Sequence, residues 1–159
     1  MLDPCDKGMP PYNRYVGDPG FTDLEDRLSR WRATRTARVP RVLVVDDEED
    51  FLELSELFLA ADGYGVIKAR SASEAMTEVK RLPPDVALLD LYIPGGDGFQ
   101  ILRALRDEPS TRDIPVFATT AADLDDVEGV LRIGFDGHFP KPVNWPRLRE
   151  MLKKLLSPP

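Results

Sequence analysis

Five short apolar runs, each followed by a helical stripe, fill residues 41–157 and leave few ways for the chain to fold. Val42–Val45 is a continuous run of Val and Leu, the pattern of a strand covered on both faces. Phe51, Leu54, Phe58 and Ala61 then recur at helical spacing, and Gly63 and Gly65 end that helix. Val66–Ala69 is a weaker strand, and Ser73–Leu82 is helical up to the stop at Pro83-Pro84. Val86–Leu91 is a second strongly buried strand, followed by a turn, "IPGGDG", whose glycines suit positive φ. Phe99, Leu102 and Leu105 mark a third helix that ends near Pro109. Ile114–Ala118 is a strand, and Leu124, Val127 and Leu131 mark a fourth helix closed by Gly134. His138-Phe139 is a short final strand, which Pro140 suits to a sheet edge because proline cannot donate to a ladder. Leu148, Met151, Leu152 and Leu155 mark the last helix, with Pro146 in its first turn. Strand-then-helix repeated in this way calls for a parallel sheet with helices on both faces.

In such sheets ligands bind at the carboxyl ends of the strands. Strand one ends in Asp46-Asp47, strand three in Asp90, strand four in Thr119-Thr120 and strand five in Lys141. Clustered carboxylates without His or Cys suit a hard cation with oxygen ligands, most simply Mg²⁺. A cation beside a carboxylate and a lysine holds a phosphoryl group by neutralising its oxygens. An aspartate can be the nucleophile that receives it. The plainer reading of Asp46-Asp47 is a pair of acids favoured by a helix N-terminus. The other strand ends outweigh it here, whereas for Glu48, Glu49 and Asp50 helix-start electrostatics is the better explanation.

The net charge is −7, and residues 41–159 carry it. An acidic domain does not suit nonspecific binding of nucleic acid, which depends on neutralising phosphates. Cys5 is the single cysteine, so no internal disulfide exists. No apolar run approaches a membrane span, and "MLDPCDKGMPPY" lacks the apolar core of a secretory signal. A cytoplasmic protein is the simplest expectation. Residues 1–40 form an extension, with 1–20 rich in Pro, Gly and Asp and expected to be flexible. A helix over about 22–36 follows, with Thr22 and Glu25 at capping-box spacing and Leu24, Leu28 and Trp31 in one stripe. Six arginines and no acid stand between Arg27 and Arg41. Such a helix suits its own acidic domain, a protein partner or dimer mate, or DNA or an anionic membrane, in that order. Val39-Pro40 marks the boundary, and the domain beyond it is expected over 41–157.

At this point the motifs carry a resemblance. "VLVVDDE", "VALLDLYIPGGDGF", "IPVFATTA" and "GFDGHFPKPV" stand in the order and at about the separations of the receiver domain of two-component response regulators. The resemblance implies a flavodoxin-like (βα)₅ fold with strand order 2-1-3-4-5, here with an extra N-terminal helix. It implies that Asp90 is the phosphoacceptor. It implies Mg²⁺ held by Asp47, Asp90 and the main-chain carbonyl of Tyr92, with Asp46 acting mainly through water. Lys141 would pair with the phosphoryl group, and Thr120 would close on it after transfer. The Lys141–Pro142 bond would be cis. The implied partners are a sensor histidine kinase or phosphotransfer protein and a downstream protein target. A second copy of the chain is a further candidate, and no direct nucleic-acid or membrane contact is expected.

Three departures from the family pattern stand out. His138 occupies the switch position three before the lysine, where Tyr or Phe is usual, and an imidazole titrates near neutral pH. Tyr92 stands two after Asp90, where water access to an acyl phosphate is set. The segment from Thr120 to Gly134 is one residue short, so counting from Pro115 selects Thr120 and counting back from Lys141 selects Thr119. Thr120 is preferred because Ala121 follows it.

The leading function is a phosphorylatable switch whose output runs through protein contacts, since only Ser157-Pro158-Pro159 follows the last helix. It would catalyse nothing beyond its own phosphorylation and dephosphorylation. The alternative is a receiver-like adaptor that does not use phosphate. True enzymes on a similar sheet fit less well. An aspartate-nucleophile phosphatase wants a second Asp where Tyr92 stands, five acids repel an FMN phosphate, and GxGxxG is absent.

Overall fold

A computed structural model describes residues 22–35, 37–93, 96–121 and 127–156. The expectations for residues 1–20, Cys5, Thr36, Leu124 and the last three residues lie outside these. So do those for the side chains of Thr22, Leu24 and Glu25.

Helix α1 spans Thr22–Thr34 and precedes strand β1, Arg41–Val45. Helix α2 is Glu49–Ala61, β2 Gly65–Ala69, α3 Ala72–Arg81 and β3 Val86–Asp90. A small hairpin follows, with β4 Tyr92–Ile93 antiparallel to β5 Gly96–Asp97. Then come α4 Gly98–Asp107, β6 Val116–Thr120, α5 Val127–Ile133, β7 Gly137–Pro140 and α6 Trp145–Leu156.

The main sheet has five parallel strands in the order β2-β1-β3-β6-β7. Without the hairpin this is the expected 2-1-3-4-5, with β7 and its Pro140 at one edge. The two continuous apolar runs take the central places because helices cover both their faces. Val42 through Val45 and Val86 through Leu89 are all essentially fully buried. At the full 25 cal/mol per Å², a side chain so placed contributes about 1.5–3 kcal/mol.

Several boundaries and faces differ from expectation. Strand β6 begins at Val116, two residues late, because Ile114 is still held in a turn by Thr111. Within the "IPGGDG" segment Ile93 pairs with Gly96, and the turn expected at Pro94-Gly95 lies outside the described residues. Gly98 is not in the left-handed region, and its need for glycine is one of space. A Cβ there would lie 2.6 Å from the Asp90 carbonyl oxygen. Positive φ falls instead at Gly63, +89°, where the chain leaves α2, and at Gly134, +128°, after α5. Helix α3 starts one residue early, because the Ser71 hydroxyl accepts from the Glu74 N–H at 3.1 Å and caps it.

The inner face of α2 is also not the expected one. Leu52, Ser55 and Leu59 are buried, while Leu54 and Leu57 face solvent. Phe51 and Phe58 are half-buried at the flank, where both rings stack on Trp145. Ser55 disguises the buried stripe. Its hydroxyl donates to the Phe51 carbonyl at 2.7 Å, which lets a polar residue sit inside.

Helix α1 lies on its own domain. Leu28 is fully buried and Trp31 nearly so, both within the main core cluster. Arg27 pairs with Asp136, which also accepts from Arg106 at 3.2 Å and from the Val116 N–H at 2.8 Å. Arg30 reaches Asp113 at 3.3 Å. Arg38 grips Asp85 with two bonds of 2.9 and 3.1 Å, and Arg35 approaches the same carboxylate at 3.6 Å while covering the Trp31 ring. Asp85, Asp113 and Asp136 all precede strands, so the helix lies at the amino ends of β6 and β7 and the residues after it at that of β3. Arg27, Arg30, Arg35 and Arg38 are thus paired within the molecule, at the end of the sheet opposite Asp46, Asp90 and Lys141.

Candidate functional site

The carboxyl ends of β1, β3 and β7 converge. One carboxylate oxygen each from Asp46, Asp47 and Asp90 lies within 4.8 Å of the other two. Asp46 is fully buried, Asp90 nearly so, and Asp47 is exposed. This gradient follows from chain position. Asp46 continues the buried strand, its N–H bonding the Ala69 carbonyl at 3.0 Å, whereas Asp47 already lies in the loop before α2.

Lys141 answers the buried charge. Its ammonium donates to Asp46, lies 3.3 Å from Glu48 and 3.6 Å from Asp90, and sits 4.3 Å from the centre of the Phe51 ring. The Lys141 N–H donates to the Thr120 carbonyl at 3.0 Å, which anchors the root of the side chain, and the Lys141–Pro142 bond is cis. Burial pulls the ammonium's pKa down. The hydrogen bond to Asp46 and the charges of Asp46, Asp90 and Glu48 outweigh it and leave it above the usual lysine value.

Asp90 behaves oppositely. Burial pushes its carboxyl above the usual range, the Tyr92 N–H bond at 3.1 Å opposes this, and the nearby Asp46 charge adds to the rise. A second cation at this rim would relieve that cost. The donor set, three carboxylates without His or Cys, fits a hard divalent ion with oxygen ligands.

The other candidates are spread around this centre. Tyr92 lies at the start of the hairpin with its side chain largely in solvent, 59% exposed. Thr119 and Thr120 are both buried in the last two positions of β6. Thr119 pairs with Asp90 across the ladder. Ala118 pairs with His138 and Thr120 with Pro140, so Thr120 and His138 share a face of the β6–β7 ladder. His138 is buried, and its Nε2 has no hydrogen-bond partner among the described residues. Burial therefore lowers its pKa, which moves its titration to the acid side of the neutral range expected from the sequence.

Two neighbours of the site were not legible as such. Helix-start electrostatics does not exhaust Glu48, whose carboxylate faces Lys141 at 3.3 Å while its N–H donates to Asp46 at 2.9 Å. Glu49 keeps the plainer role, pairing with Arg70 at 3.2 Å on the surface. Phe51, expected only in the apolar stripe of its helix, also carries the lysine. The one available signal was its spacing, a helical turn after Asp47.

A doubly wound parallel sheet with this acidic rim and facing lysine defines a class. The sequence matches the response regulator receiver domain over residues 42–153, and the chain belongs to that family. Among curated relatives it is similar to the polar-differentiation response regulator DivK of Brucella ovis. The two are 34% identical over 117 residues, covering 73% of this chain and 95% of DivK. It is also 42% identical over 106 residues to the response regulator PleD of Caulobacter vibrioides, covering 65% of this chain but only 23% of PleD's length. Among solved structures it resembles the signal receiver domain of a DNA-binding response regulator from Colwellia psychrerythraea 34H. That likeness has a TM-score of 0.68 at 30% identity and covers 74% of this chain and 98% of that one. The family match begins after α1.

Proposed function

We propose that this receiver is a phosphorylatable, cytoplasmic switch that accepts a phosphoryl group on Asp90. The observation that carries the reading is the crossing of charges at one rim. The buried Asp90 carboxylate clusters with those of Asp46 and Asp47 and lies 3.6 Å from the lysine that ends strand β7 at the same rim. A purely structural adaptor has no need to hold three acids together.

The donor would be a sensor histidine kinase or phosphotransfer protein. An Asp90 oxygen attacks phosphorus, the bond to the donor imidazole nitrogen breaks, and the imidazole leaves with that electron pair and takes up a proton. Asp47, Asp90 and the Tyr92 carbonyl would hold Mg²⁺, with Asp46 acting through water. When bound, the ion neutralises charge on the transferring oxygens. Lys141 exchanges its bond to Asp46 for one to a phosphoryl oxygen. Thr120 then closes on another oxygen and opens room for His138. The shared face of Thr120 and His138 supports Thr120 over Thr119 for this role.

The changed face would alter the affinity for a downstream protein, which requires two states of different affinity. A second copy of the chain is a further candidate partner. Labelling with a radioactive small acyl phosphate tests the reading. Mg²⁺-dependent label on wild type and none on Asp90→Asn is expected. Absence of label on wild type, where a control receiver labels, would return the protein to the adaptor class.

A further inference from the structure

The structure assigns Phe51 as a positioning residue for Lys141, an aromatic floor on which the ammonium pivots between Asp46 and Asp90. The inference rests on the phosphoryl-transfer reading of the site.

Lys141 has two jobs that conflict. Before transfer it neutralises the fully buried Asp46, to which it donates directly. During transfer it must serve a phosphoryl group on Asp90, whose carboxylate it now approaches at 3.6 Å. Its other anionic neighbour, Glu48 at 3.3 Å, draws it outward. Each of these contacts is directional, and each holds the ammonium in one place. The Phe51 ring, with the ammonium 4.3 Å from its centre, is the neighbour that stabilises the charge without fixing its direction. A cation over a ring face can shift laterally toward a new acceptor while keeping part of that attraction. The side chain is only 10% exposed, so water contributes little in its place.

The ring is itself held. Phe51 stacks on Trp145 with centres 6.1 Å apart and planes at 30°. Trp145 stacks on Phe58 at 4.9 Å and 11°. Phe51 and Phe58 come from α2, and Trp145 from the start of α6, four residues after Lys141. The three rings thus tie the helix after the acidic loop to the helix after the lysine. An aliphatic residue at position 51 would fill the space but leave the ammonium to settle on Asp46 or Glu48.

The test separates ring electrostatics from packing. Phenylalanines bearing one, two and three fluorines are placed at position 51 of the full chain, and the Mg²⁺-dependent rate of labelling by a small acyl phosphate is read. Volume changes little along the series while the negative potential of the ring face falls. The rate should drop in step with fluorination, by about two- to thirtyfold overall, the span open to one cation–π contact. Phe51→Leu should match the most fluorinated protein, and Phe51→Trp should restore the rate. Rates flat across the series, with wild type labelled normally, overturn the role of Phe51 and leave the phosphoacceptor reading intact. Wild type that takes no label overturns both.

Discussion

Lys141 and Asp46 stand 95 residues apart and are joined by a direct hydrogen bond at the carboxyl rim of the sheet. The lysine therefore holds part of the negative field in which a divalent ion would bind. Removing its charge without its bulk should free the carboxylates for the metal. Lys141→Met is expected to bind Mg²⁺ about fivefold more tightly than wild type, on the order of 1 kcal/mol for a screened charge pair. The same variant should label poorly. Titration by tryptophan fluorescence measures the first effect, and weaker Mg²⁺ binding in the variant would contradict the idea.

Thr119 and Thr120 can be separated by substitution. Thr120→Ala should still take label on Asp90 yet show little of the change in the surroundings of His138 that follows phosphorylation. Thr119→Ala should keep that change. Imidazole proton resonances with and without a phosphoryl mimic report it. The reverse pattern would move the switch role to Thr119.

His138 links stability to pH. Its folded-state pKa is lowered by burial, so the unfolded chain binds the proton more readily. The stability tied to this residue is complete above about pH 6.5, the unfolded value. It is lost as pH falls through the folded-state pKa. Denaturant midpoints between about pH 7.5 and 5, in Mg²⁺-free buffer, should fall more steeply for wild type than for His138→Phe. Parallel curves would mean that the imidazole is not the group responsible.

Gly98→Ala places a methyl group 2.6 Å from the Asp90 carbonyl oxygen, against backbone that cannot swing aside. The expected loss is about 1–3 kcal/mol of stability. Slower labelling should accompany it, because the displaced backbone carries Asp90, the proposed phosphoacceptor. Thermal melts and the labelling rate together check this, and an unchanged melting temperature would show that the loop relaxes freely.

Helix α1 should behave as part of the core. Leu28→Ala is expected to cost about 2–5 kcal/mol, as for other buried leucines. Asp136→Ala removes the shared partner of Arg27 and Arg106 and should cost about 3–5 kcal/mol, the usual result of stranding buried charge. Urea unfolding would show one cooperative transition for both. A separate early transition for α1 would show that the helix is only loosely attached.

The central strands were readable because burial on both faces leaves a run with no polar interruption, as in Val42–Val45 and Val86–Leu89. The rim was readable because strand ends in a parallel sheet lie together, so strand order alone brings Asp46, Asp90 and Lys141 to one place. The face of α2 was not, because the helix offers two apolar stripes and the buried one contains Ser55. Deciding between them requires knowing where Trp145 lies. Glu48 and Phe51 escaped for a similar reason. Their meaning depends on Lys141, which reaches them only through the fold. The fate of the arginines was equally non-local, since Asp85, Asp113 and Asp136 are scattered along the chain and meet only beneath the sheet.

That meeting limits how modular this receiver is. Cutting at the family boundary near residue 42 removes Leu28 and Trp31 from the core. It also removes the two guanidinium groups that face Asp85, Arg35 and Arg38, and Arg27 from the pair that flanks Asp136. A graft of residues 42–153 onto another protein would carry a hydrophobic scar and excess buried negative charge at its base. Transplanting this domain, or trimming it for a kinase assay, therefore calls for keeping the chain from Thr22 onward.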